Sequence, residues 1–219
     1  MNLAHLLDIA NRSGGTLYLM AALLLVALTV VFDRIAYFAK MQKGGDALIT
    51  LLRTQPSLRT PAVGAALSTY ESLPHARLIQ ASMVEPDDST RESYAGHLEE
   101  IIMQELPLLD RSLWMLDTVI TLAPLLGLFG TIVGMFSAFS VLADVQNSSG
   151  QVTGGIAEAL LATASGLLVA MIGLVFFNGL NTRMRLIIHQ MEILKVMLLN
   201  RRFGRAASRS TIQTVSAAT

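Results

Sequence analysis

The chain has 219 residues, 53% hydrophobic and only 15% charged, with a mean hydropathy of +0.54. A soluble domain of this size is about a quarter charged, so composition excludes an ordinary water-soluble protein and points to a membrane. The net charge of zero hides an uneven distribution, and the lack of cysteine excludes disulfides and thiolate metal sites.

The first apolar run, Thr16 to Phe32, follows Arg12 and precedes Asp33-Arg34. Its roughly 17 residues are near the lower limit of a spanning helix, about 20 being typical. A signal peptide is the competing reading. Against it, Asp8 lies in the stretch a signal peptide keeps basic, and Phe32-Asp33-Arg34 replaces a small-residue cleavage site. Residues 1–15 are expected as an N-terminal flank and 16–32 as an uncleaved transmembrane helix.

Residues 33–112 read as a helical segment broken by Pro56, Pro61, Pro74 and Pro86. Ser89-Thr90-Arg91-Glu92 has the form of a capping box and predicts a helix through Tyr94, Leu98, Ile101 and Ile102. Pro107 is expected to kink or restart that helix. The segment shows no strand alternation, internal repeat or heptad run.

Two longer apolar runs follow, predicting transmembrane helices over 113–143 and 156–180 joined by a short connection over 144–155. From Thr118 to Ala143 and from Ile156 to Asn178 there is no lysine, arginine or histidine, and the one carboxylate is Glu158. The first of these is long enough, at about 39 Å, that it must tilt or protrude from a hydrocarbon core of roughly 30 Å. Beyond Arg183 and Arg185, the residues Leu186, Ile187, Leu194, Met197 and Leu198 recur at helical spacing. From Gly204 onward the composition is that of a disordered tail, within residues 181–219. Its arginines suit anionic lipid, and nucleic-acid binding is not expected.

Basic residues set the orientation. The N-terminal flank has Arg12 alone, the 33–112 segment has eight, the 144–155 connection has none and the C-terminal flank has seven. Positive flanks stay cytoplasmic, so the N-terminus and hairpin tip are expected outside, and 33–112 and 181–219 in the cytoplasm.

Within the hairpin, Gly127, Gly130, Thr131, Gly134, Ser137 and Ala138 fall at three- and four-residue steps. Gly155, Ala159, Ala162, Thr163, Gly166, Ala170 and Gly173 do the same. Such small-residue stripes let helices approach closely in lipid. Ordinary helix packing accounts for the glycines, and Gly130-x-x-x-Gly134 also has the spacing of a dimerisation motif. Pro124 is expected to kink the second span and free backbone carbonyls.

Thr131 and Thr163 leave two readings open. Each hydroxyl can bond its own i−4 carbonyl, or the pair can serve water or a carboxylic acid on a proton path. Glu158, near the outer face, either reaches out to headgroups or acts as an entry carboxylate. Asp117 either marks the inner exit or favours the helix start. The chain has no carboxylate at mid-membrane, so a proton path here would need a carrier from elsewhere.

Enzyme chemistry finds no support. His5, His75, His97 and His189 are scattered, with neither a His-Glu-x-x-His pattern nor a phosphate-binding loop. No metal site and no cofactor are expected, with protons the expected coupling ion if the hairpin lines a path.

Residues 123–134, Ala-Pro-Leu-Leu-Gly-Leu-Phe-Gly-Thr-Ile-Val-Gly, followed by residues 155–164, Gly-Ile-Ala-Glu-Ala-Leu-Leu-Ala-Thr-Ala, resemble the signature of the MotA/TolQ/ExbB proton-channel family, most like ExbB. The resemblance is strongest from about Asp110 to Arg185. It implies an all-α membrane protein of three transmembrane helices with long cytoplasmic helical extensions, assembled as a homopentamer in a bacterial inner membrane. It implies that Thr131, Thr163 and Glu158 line a pore beside an aspartate from an ExbD-like or TolR-like partner. It also implies a TonB-like or TolA-like transducer that carries the work to the outer membrane. The alternatives are a TolQ-like subunit of an envelope system, a non-conducting membrane scaffold, and a small self-contained transporter.

Overall fold

The structure is a computed structural model that describes residues 15–55, 57–84, 89–142 and 149–216, with side chains over 15–55, 57–84, 89–140 and 152–204. Its helices are α1 (Thr16–Thr54), α2 (Pro61–Thr69), α3 (Pro74–Val84), α4 (Arg91–Asp110), α5 (Leu113–Leu142) and α6 (Ser149–Ser216). Among the described residues there is no strand, and the expected all-α architecture is observed. Among the described residues, three segments are long and apolar enough to cross a membrane: Thr16–Thr54, Leu113–Ser140 and Val152–Gly204.

The chain forms two compact units, Met1–Ile35 with Ser112–Leu180, and Ala36–Arg111 with Asn181–Thr219. We call them the membrane unit and the extramembrane unit. Helices α1 and α6 contribute to both.

The membrane unit is built from α1 to Ile35, α5, and α6 to Leu180. Its inner faces are mostly small or aliphatic: Ala27 and Val31, Leu116 and Ala123, Ala159 and Ala162 are all buried. Large side chains turn outward instead, among them Phe32, Leu125, Phe129, Ile132, Phe136 and Val175. In water such a surface would aggregate, whereas in lipid it is the ordinary outer face of a bundle. Where α4 gives way to α5, Ser112 has φ +76°, uncommon for a residue with a Cβ. Its hydroxyl is held by the guanidinium of buried Arg34 (Nη2 to Oγ, 2.9 Å).

The extramembrane unit has a water-soluble kind of core. Leu48 and Leu52 of α1, Leu78 and Ile79 of α3, Tyr94 and Leu98 of α4, and Leu194 and Leu198 of α6 meet in one apolar cluster. Ion pairs ring it: Arg77 with Glu105 (2.8 Å) and Lys195 with Glu99. The Arg201 guanidinium donates to the Leu52 carbonyl near the end of α1, where helix carbonyls lack ladder partners. Arg202 stacks 4.6 Å over the Tyr94 ring.

Several expectations need correction. The first span does not end its helix at Phe32; α1 continues to Thr54. Pro61 and Pro74 start helices α2 and α3, since a first-turn proline gives up an N–H that has no partner there anyway. Pro56 and Pro86 lie outside the described residues. Thr90, one residue after the expected cap, is the N-cap of α4 and accepts from the Ser93 amide at 3.2 Å. Pro107 lies inside α4 without ending it, and the break comes at Arg111–Ser112. Pro124, the expected kink, lies inside α5, which continues past it. The expected connection over 144–155 is shorter, because α6 begins at Ser149, residues 143–148 being outside the described set. The tail expected to be disordered is helical to Ser216. Extending a helix already nucleated by a packed segment costs far less than starting one, and Ala206 and Ala207 suit it.

Candidate functional site

Helices α5 and α6 pack antiparallel along their small-residue stripes. A Cβ added at Gly134 would stand 2.9 Å from the Ala159 Cβ, and one at Gly155 would stand 2.8 Å from the Ala138 Cβ. At Gly127 it would meet the Ala162 carbonyl at 3.0 Å and the Thr163 Cα at 3.1 Å. At Gly166 it would run into the Ala123 carbonyl oxygen itself. Side chains are therefore excluded where the backbones nearly touch. Gly130 faces both Ala162 Cβ (3.0 Å) and Thr16 Cγ2 of α1 (3.2 Å). The Gly130-x-x-x-Gly134 spacing is thus used inside one chain.

This closeness brings Thr131 and Thr163 together, both half-buried, with their hydroxyl oxygens in direct hydrogen-bond contact. Thr131 Oγ1 lies 3.2 Å from the Gly127 carbonyl on its own helix and 3.1 Å from the Ala159 carbonyl on α6. Thr163 Oγ1 reaches across to the same Gly127 carbonyl at 3.0 Å. The i−4 bond expected of an isolated membrane threonine is therefore present at Thr131 only in part, and Thr163 uses the neighbouring helix instead. Ser165, by contrast, bonds its own Leu161 carbonyl (2.8 Å).

Two hydroxyl protons serve this group of contacts, because each threonine carries one donor. If Thr131 donates to Thr163, then Thr163 donates to Gly127. If Thr163 donates to Thr131, then Thr131 donates to Ala159 or Gly127. The arrangements differ only in where the protons point. Such a pair can reverse its polarity without moving a heavy atom, which is what a hydrogen-bonded relay requires. In the low dielectric of a bundle interior these bonds are also strong.

Glu158 is half-buried on α6, one residue before the Ala159 carbonyl, and makes no hydrogen bond or ion pair with the described residues. The structure does not bring its carboxylate to the threonine pair. Asp117 lies exposed in the second turn of α5, past the first-turn positions where a carboxylate meets unpaired N–H groups. The two bridging carbonyls, Gly127 and Ala159, were not singled out in the sequence, since backbone acceptors carry no residue signal. The register of the two stripes is the feature that encodes them.

Comparison with known proteins bears on the same residues. Residues 70–193 match the model of the MotA/TolQ/ExbB proton channel family. The chain is 36% identical over 162 residues to the biopolymer transport protein ExbB-like 3 of Synechocystis sp., covering 70% of this chain and 74% of that one. It is 28% identical over 203 residues to the biopolymer transport protein ExbB of Neisseria meningitidis, covering 86% and 92%. It is also 39% identical over 114 residues to the Tol-Pal system protein TolQ of Pseudomonas aeruginosa, covering 52% and 49%. The family is one of channel and transport proteins. With three membrane-competent segments and this hairpin, the chain belongs to the MotA/TolQ/ExbB proton channel family.

Proposed function

We propose that this chain is the ring-forming subunit of a proton-driven motor in a bacterial inner membrane, and that Thr131 and Thr163 lie on its proton path. The reading rests on one observation above all: the two hydroxyls share a bridge between α5 and α6 that has two proton arrangements. In this reading the N-terminus and the tip between α5 and α6 face the periplasm, and the extramembrane unit is cytoplasmic. Five copies surround the membrane helices of an ExbD-like or TolR-like partner, whose carboxylate supplies the mid-membrane acid this chain lacks. Glu158 serves as an entry carboxylate, acting on the path through water rather than through a direct bond to the threonines. The proton is the coupling ion and no cofactor takes part. One charge crossing 100 mV releases about 2.3 kcal/mol, and a TonB-like or TolA-like transducer delivers that work toward the outer membrane for active transport. A TolQ-like role in an envelope system is the alternative, supported by the TolQ likeness over 52% of the chain. A neighbouring transducer gene of either type separates the two.

The same hydroxyl bridge also suits a scaffold that merely glues two helices. Thr131→Val with Thr163→Val removes both hydroxyls and keeps the branched shape. We expect the complex with its partner to assemble at normal mass while proton-dependent transport falls by roughly tenfold or more, about the worth of one hydrogen bond. Thr131→Ser with Thr163→Ser should retain most activity. Unimpaired transport in the valine pair would assign the hydroxyls to packing alone.

A further inference from the structure

The extramembrane unit contains a buried histidine to which the proton path assigns no role. His75, the second residue of α3, is fully buried. Its ring presses on the α1 backbone at Gly45, where an added Cβ would stand 2.5 Å from the imidazole Nε2 and 2.6 Å from the Gln190 Oε1 of α6. Next to it, Leu73 and Tyr70 lie against Gly44 in the same way. The glycine pair in α1 is therefore the seat for the corner between α2 and α3, and His75 and Gln190 close over it together.

Neither ring nitrogen has a hydrogen-bond partner among the described residues. The Gln190 amide lies beside the ring, and its Nε2 donates to Asp46 Oδ1 at 2.8 Å. A neutral imidazole tolerates such a seat. An imidazolium, with two N–H donors and a charge, does not.

We propose that His75 is an acid-released latch: on taking a proton it parts α3 from Gly44–Gly45 of α1 and from Gln190 of α6, and the extramembrane unit loosens reversibly. The charged groups on the surrounding elements nearest these residues are Lys43 and Asp46 beside the α1 glycines, Glu71 ahead of α3, Arg77 of α3 paired with Glu105 of α4, and His189 paired with Glu192 around Gln190 of α6. Of these, Asp46 acts on the ring. Burial lowers the His75 pKa from 6.5 to about 4, opposed more weakly by the Gln190 amide and the Asp46 charge. The folded value lies below the open-state value, so the closed form is fully favoured above pH 6.5 and loses ground as pH falls toward 4. The open population should rise about tenfold per pH unit across that window, roughly 300-fold in all. The inference stands independently of proton passage through the hairpin.

Hydrogen exchange on the full chain in lipid nanodiscs tests it, read over residues 41–47 and 73–79 from about pH 7.5 to about pH 5. After correction for intrinsic exchange chemistry, opening should steepen below about pH 6.5 in the native chain and stay flat in His75→Gln. A flat native profile, or an equal slope in the variant, would overturn the proposal. Should the variant fail to fold, an NMR titration of the native imidazole decides instead. A ring still neutral near pH 5.5 supports the latch, and one that titrates near 6.5 refutes it.

Discussion

The two units of this molecule bury their interiors by opposite means. In the membrane unit the closest contacts between α5 and α6 include glycine on alanine, and many large side chains face outward. In the extramembrane unit leucine, isoleucine and tyrosine fill the centre, and ion pairs occupy the rim. Solvent explains the contrast. Lipid gives apolar side chains no reason to leave it, so helix association depends on close backbone approach and on the few polar groups. Water drives large apolar surfaces together at about 25 cal/mol per Å². Polar groups follow the same division. In the membrane unit threonine hydroxyls bridge neighbouring helices, whereas in the other unit ion pairs such as Arg77–Glu105 and Lys195–Glu99 join them.

Substitutions can break this comparison or sharpen it. The largest effect is expected at Gly166, where any side chain meets the Ala123 carbonyl. Gly166→Val should cost about 3 kcal/mol or more, at or beyond the upper end of the usual overpacking range of about 1–3 because the clash is with backbone, and separate the hairpin, measured as lost protease resistance in detergent. A variant of native resistance would refute close backbone contact as the basis of this unit. Next comes Leu98→Ala at the centre of the other unit, 0% exposed, with an expected loss of 2–5 kcal/mol, about the cost of such core truncations. Thermal melting should fall accordingly, and a shift of a degree or less would mean that the leucine cluster is not what holds that unit. The smallest effect is at Gly96, where an added Cβ meets nothing within 4 Å. Gly96→Ala, within α4, should stabilise by about 0.5–1 kcal/mol, a modest rise in melting temperature that sets the exposed glycine apart from the buried one.

The sequence made the membrane hairpin legible because its code is coarse. Long apolar runs mark the spans, and stripes of small residues mark the faces that meet, so Thr131 and Thr163 were already on the right sides of their helices. What stayed hidden was the cross-helix choice of acceptor, because the Gly127 and Ala159 carbonyls depend on a register that only packing sets. The α4 start shows a finer limit: Ser89 and Thr90 can both cap, and tertiary placement decided between them. In the sequence His75 is one of four scattered histidines with no motif around it. Gly44-Gly45 inside a helical stretch was the available signal, since two glycines are tolerated mid-helix chiefly when something must approach the backbone.

Ser112 illustrates how one position can restrict its own replacements. Its backbone angle would suit glycine, which lacks the hydroxyl that receives Arg34. Alanine would satisfy neither demand. Asparagine tolerates the left-handed region better than most residues and carries an acceptor oxygen, which makes it the natural substitute. Divergence at this joint is thereby confined to a short alphabet, set by the chain's handedness and by a cation that needs company.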